Sequence, residues 1–102
     1  MVYNKLVRDK IPTIINAQGK KANIRILADE EYLRALEAKL DEEVSEFHKD
    51  QNLEELADIL EVLYALAENL GHSKEELLEA REKKHRERGG FRDRVFLISN
   101  DG

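Results

Sequence analysis

Hydrophobic residues recur along this chain with helical rather than strand periodicity. Between Asp29 and about His48, the residues Leu33, Leu36, Leu40, Val44 and Phe47 fall at three- and four-residue intervals and form one apolar stripe. The next block, roughly Leu53 to Leu70, is broader. Leu53, Leu56, Ile59, Leu60, Val62, Leu63, Tyr64, Leu66, Ala67 and Leu70 cover well over half of a helix turning about 100° per residue. One stripe needs one neighbour, but so wide a face needs cover on more than one side. A chain of 102 residues has few other elements to supply it, which predicts association with a second copy. Val62 and Leu66, on the far flank of the arc, are expected to face that copy.

Proline, glycine and capping residues set the boundaries. Pro12 suits the opening turn of a first helix over about Arg8 to Gln18, where its missing N–H costs little, and Gly19 lies just beyond. Asp29 is expected to cap the second helix. Gly71 ends the third, and Ser73-Lys74-Glu75-Glu76 reads as a capping box opening a fourth, which stops at Gly89-Gly90. Ile24-Arg25-Ile26-Leu27 and Val95-Phe96-Leu97-Ile98 read as two short strands by their β-branched content. The predicted fold is therefore all-α: one domain over residues 1–102, a bundle of about four helices completed by homo-oligomerisation, with a minor two-stranded sheet.

Composition narrows the functional classes. Charged residues are 38% of the chain and hydrophobic ones 41%, a balance that suits a packed core under a solvated helical surface. The formal net charge is −5, with acids concentrated from Asp29 to Glu82 and Lys and Arg richer at both ends. No single basic face dominates, so a nucleic-acid polymer is not the expected partner, and an anionic ligand needs help from a metal. No apolar run reaches bilayer length, and no leader pattern is present, so a soluble, cytoplasmic protein without membrane contact is expected. The absence of cysteine removes disulfides, thiolate nucleophiles and Cys-ligated zinc.

The candidate chemistry lies in two acidic clusters. Glu43 and Glu46 on the second helix, and Glu55 and Asp58 on the third, are each three residues apart and so share a side of their helix. A short polar turn between the helices sets the two pairs opposite each other. Four facing carboxylates repel strongly unless a cation lies between them, and oxygen donors in that number suit Mg²⁺ or Mn²⁺. Acid pairs on helices are common surface features, but Glu55 projects inside the apolar arc between Ile59 and Val62, and Glu43 lies beside Leu40 and Phe47. A carboxylate there carries a desolvation cost of several kcal/mol unless it is paired or ligated. Glu42, Glu54 and Glu68 point away from the apolar faces and are expected to be solvated. Glu61 extends the acid line, as a further ligand, as a group supporting the ligands, or as an exposed residue.

With these features in place, the sequence resembles the all-alpha nucleoside triphosphate pyrophosphohydrolase superfamily of MazG, dimeric dUTPases and phosphoribosyl-ATP pyrophosphohydrolase. The superfamily pattern, ExxE on one helix and ExxD on the next, is matched by Glu43, Glu46, Glu55 and Asp58. The opening Tyr3-Asn4-Lys5-Leu6-Val7-Arg8-Asp9-Lys10-Ile11-Pro12 and the closing Lys84 to Arg88-Gly89-Gly90-Phe91 are similar to short house-cleaning members of that group. The resemblance implies a MazG-like helical bundle that is dimeric or of higher even order. It also implies Mg²⁺-dependent cleavage of a nucleoside triphosphate, standard, non-standard or deoxy, to monophosphate and pyrophosphate. One departure bears on the substrate: only the eight residues Phe47 to Glu54 separate Glu46 from Glu55, a shorter connection than in MazG itself.

Under this reading Glu43, Glu46, Glu55 and Asp58 ligate the metal. Glu46, furthest from the apolar stripe, is the candidate general base, although any of the four could serve. Lys84 and Arg88, one turn apart on the fourth helix, either bind phosphate oxygens or complement the helix dipole. Lys5, Arg8 and Lys10 form a second candidate phosphate-binding group. His48, His72 and His85 lack zinc-ligand spacing, and no phosphate-cradling glycine loop or nucleophilic serine turn is present. Two other readings fit the same acids: a non-catalytic helical interaction module with an acidic face, and a nucleotide-binding protein that does not turn its ligand over.

Overall fold

A computed structural model describes residues 1–102. It contains four helices and no strand: α1 (Ile11–Ala17), α2 (Asp29–Asp50), α3 (Leu53–Asn69) and α4 (Lys74–Arg88). The all-α expectation holds, and the minor sheet does not form. Ile24–Leu27 and Val95–Ile98 are irregular and largely exposed. Strand propensity needs a ladder partner to satisfy the backbone, and no such pairing forms between these segments.

Local chemistry explains the boundaries. Pro12 sits in the first turn of α1, but the helix begins only at Ile11, whose N–H donates to the Arg8 carbonyl at 3.0 Å. Pro12 has no N–H to give the Arg8 carbonyl four residues back, so an α-helical turn starting at Arg8 could not close. Gly19 follows the helix at φ +80°, a value that glycine adopts freely. In α2, Asp29 is the first helical residue rather than the cap. Extended Ala28 holds the cap position and offers no side-chain acceptor, while Glu31 reaches back to accept its N–H at 3.4 Å. Asp29, Glu30 and Glu31 in the first turn and His48 and Lys49 in the last complement the helix dipole.

The connection from α2 to α3 is tight. Gln51 turns left-handed and gives its N–H to the Phe47 carbonyl at 2.8 Å, and the Asn52 side chain then caps α3 by accepting the Glu55 N–H at 3.0 Å. At the other end of α3, the His72 N–H reaches the Ala67 carbonyl and the Gly71 N–H the Glu68 carbonyl, both at 2.9 Å, closing a Schellman turn around Gly71 at φ +90°. The expected capping box follows: Ser73 Oγ accepts the Glu76 N–H and Glu76 Oε1 accepts the Ser73 N–H, each at 3.0 Å. Lys74 Nζ lies 4.9 Å from the Tyr64 ring centroid and fastens α4 to α3.

The α2–α3 hairpin carries the packing. Leu36, Val62 and Ala67 are the buried apolar residues, α4 packs on α3 alone, and α1 packs on no other helix. Val62 therefore faces the chain's own core, contrary to its expected place on the outer flank, and Leu66 is partly buried. The outward stripe of α3 is instead Leu53, Leu56, Leu60, Leu63 and Leu70, all exposed. The chain measures 63 × 32 × 22 Å, and its radius of gyration of 18.1 Å exceeds the roughly 13 Å of a compact chain this long.

Candidate functional site

The tight Gln51–Asn52 connection lays the start of α3 beside the end of α2, so the two acid pairs meet. Carboxylate oxygens of Glu43, Glu55 and Asp58 lie within 4.8 Å of one another, as do those of Glu46, Asp50 and Glu55. Glu55 belongs to both groups and links them. All four acids of the sequence pattern are thus brought together around one side chain. Asp50 joins them; it lies one turn beyond Glu46, and that i, i+4 spacing at the end of α2 was its available signal.

Glu43 is only 8% exposed, buried where the apolar stripe of α2 meets α3. Lys39, one turn earlier and with a side chain 18% exposed, answers its charge at 3.3 Å. Lys39 also lies 3.5 Å from Glu42, which takes a second partner in Lys5 at 3.2 Å. Glu42 is consequently not the freely solvated acid expected from its helical direction. Partial burial pushes its pKa up, but the Lys5 hydrogen bond and the Lys39 and Lys5 charges outweigh this and leave it below the usual carboxylate range. Glu54 and Glu68 are exposed, as expected.

Glu55 shifts the other way. Desolvation raises its pKa first, and the charges of Asp50, Asp58, Glu46 and Glu43 raise it further. The sequence pattern thus surrounds one carboxylate, shared by two acid groups, with negative charge. Three carboxylate oxygens with this spacing, as each group offers, fit a hard divalent cation, which would relieve the mutual repulsion and leave positions for water or phosphate oxygen.

The basic candidates separate into those drawn to the acids and those left apart. The Arg8 guanidinium donates to Asp58 Oδ1 at 2.6 Å and lies 3.9 Å from Glu61, while Lys5 meets Glu42. Lys10 caps α1 through its backbone and forms no ion pair, and neither do Lys84 and Arg88 on α4. Arg88 sits in the last turn of α4 with His85 and Arg86, where dipole complementarity applies.

A helical hairpin whose two arms converge carboxylates on a shared glutamate defines an all-α protein with a candidate divalent-cation centre. The chain belongs to the MazG-like family, which residues 26–92 match. An uncharacterized protein of Mycolicibacterium smegmatis (strain ATCC 700084 / mc(2)155) is 60% identical over 42 residues, a stretch covering 41% of this chain and 43% of that protein. No solved structure matches the chain. No helix is long and apolar enough to cross a membrane.

Proposed function

We propose that the protein is a Mg²⁺- or Mn²⁺-dependent nucleoside triphosphate pyrophosphohydrolase. The observation that carries this reading is the convergence of Glu43, Glu55 and Asp58 within 4.8 Å, with Glu46 and Asp50 adjoining through Glu55. Membership of the MazG-like family supports the reaction class. Glu43, Glu46, Glu55 and Asp58 would hold the cation, which when bound supplies charge neutralisation across phosphate oxygens and a more acidic water. Glu46 accepts the proton of the attacking water. The water oxygen bonds to the α-phosphorus, the bond to the bridging oxygen breaks, and pyrophosphate departs with the electron pair, leaving the monophosphate. Lys5, Arg8 and Lys10, with Lys84 and Arg88, supply positive charge for phosphate oxygens left uncovered.

The proposed working form is a homodimer or larger even assembly, supported by the exposed leucine stripe of α3. A compact chain of 11.8 kDa exposes about 5,900 Å², whereas this one exposes 9425 Å². The excess, about 3,500 Å² per chain and so about 7,000 Å² for two chains, is at least as much as obligate interfaces bury. A panel of standard and modified nucleoside triphosphates with Mg²⁺ or Mn²⁺, scored separately for pyrophosphate and orthophosphate, tests the reaction. Pyrophosphate from at least one substrate is expected. Metal-independent release, or orthophosphate alone, would remove the assignment.

A further inference from the structure

The Arg8 contact falls on one of the proposed cation ligands, and the segment that carries it lies outside the residues 26–92 matched by the family. We propose that Arg8 is a resident counter-ion of the acid cluster: it holds Asp58 until a divalent cation takes that carboxylate, and is then free to bind a phosphate of the incoming substrate. This rests on reading the acids as a cation site, and it assigns Arg8 a positioning role that exchanges carboxylate for phosphate.

Three observations support the exchange. First, the contact opposes a cation, because Arg8 already neutralises Asp58 through Oδ1 at 2.6 Å while Asp58 also lies within the Glu43–Glu55 group. Second, the hold is light. The Arg8 side chain is 54% exposed, and an ion pair so open to water is weakened by screening and by the entropy of fixing a long side chain. Third, the segment is loosely anchored. Met1, Val2 and Tyr3 are exposed, only Leu6 of the first ten residues is partly buried, and α1 packs on no other helix. Its side-chain tethers are the Arg8 contacts with Asp58 and Glu61 and the Lys5–Glu42 pair. The guanidinium fork fits carboxylate and phosphate with the same geometry, so the side chain released from Asp58 needs no redesign to meet a triphosphate.

Lys39 provides the contrast. Its side chain is largely buried, with the ammonium paired to Glu43 and Glu42 on the same helix, and it stays with them as a fixed part of the site. Arg8 reaches across from another part of the chain, fifty residues away in sequence from Asp58.

The test is Mn²⁺ titration of the full chain, by electron paramagnetic resonance without nucleotide, for the natural protein, Arg8→Met and Arg8→Lys. Removing the competitor should tighten Mn²⁺ binding roughly two- to fivefold in Arg8→Met, the factor set by a half-exposed ion pair, with Arg8→Lys between the two. A merely structural role predicts the opposite sign, since loosening the arm would disorder the ligands. In the natural protein, saturating Mn²⁺ should also accelerate tryptic cleavage after Lys5, Arg8 or Lys10. For whichever nucleotide is turned over, Arg8→Met should raise KM about tenfold with kcat changed less. Mn²⁺ affinity that is unchanged or weaker in Arg8→Met, or tryptic cleavage indifferent to Mn²⁺, would overturn the exchange while leaving the cation site in place. Failure of the natural protein to bind Mn²⁺ would overturn both.

Discussion

Leu60 offers a direct way to measure what the exposed stripe of α3 is for. It is 43% exposed in the single chain, flanked on the same face by Leu53, Leu56 and Leu63. Complete burial of a leucine side chain is worth about 1.5–3 kcal/mol, so the outstanding 43% corresponds to about 0.6–1.3 kcal/mol per chain. A symmetric dimer loses that twice. Leu60→Ala should therefore weaken the dimer about ten- to seventyfold, before any added cost from the cavity left behind. Leu60→Asp places an unpaired charge in the interface and should dissociate the assembly outright at micromolar concentration. Val62→Asp is the matched control. Val62 is buried within the chain, so this change should abolish the cooperative melt itself rather than only the association. Sedimentation velocity from about 1 to 100 µM, with circular dichroism of each variant, reads both effects. A natural protein that sediments as a folded monomer throughout, or a Leu60→Asp variant that dimerises as before, would refute the reasoning.

The site makes its own demands. Glu43→Gln and Asp58→Asn keep side-chain shape while removing charge, and should abolish metal-dependent turnover without unfolding; activity persisting at limiting Mg²⁺ would remove these residues as ligands. Glu55 has its folded pKa raised above the unfolded value, so without metal it penalises the fold increasingly as pH rises above about 4.5. Glu55→Gln should accordingly raise the metal-free melting temperature at pH 7 and flatten its fall with pH, which thermal scans between pH 4 and 8 would check. Lys84→Ala and Arg88→Ala should weaken kcat/KM about ten- to a hundredfold with melting nearly unchanged, if the two hold phosphate. A loss of a few tenths to about one kcal/mol of stability with intact kinetics would return them to the helix dipole.

Much of this fold was readable because its signals are local. The hydrophobic spacing of α2 and α3, Pro12, Gly19 and the Ser73–Glu76 capping box each act within one turn, and each placed a boundary within a few residues of where it lies. The strands failed because propensity at Ile24–Leu27 and Val95–Ile98 carries no information about a partner. Glu43, Glu46, Glu55 and Asp58 were legible since three-residue spacing and a short turn bring them together almost whatever the rest of the chain does. The missing members depend on more. Asp50 needed the end of α2 to run beyond His48, and Lys39 needed its neighbours Glu42 and Glu43 to be partly or wholly buried. Arg8 needed the course of the irregular amino-terminal segment across α3, which no periodicity encodes. Val62 shows the same limit: a face apolar on both sides does not announce which side its own chain covers.

Hydrolysis by this protein rests on attack by water at the α-phosphorus beside the Glu43–Glu55–Asp58 cluster. Turnover of an accepted nucleoside triphosphate in oxygen-18-labelled water tests it most directly, with the products separated and their isotopic composition read by mass spectrometry. One labelled oxygen is expected in the nucleoside monophosphate, none in the pyrophosphate, and the label transfer should be lost in Glu43→Gln. Label in pyrophosphate or orthophosphate, or transfer undiminished in Glu43→Gln, would contradict it.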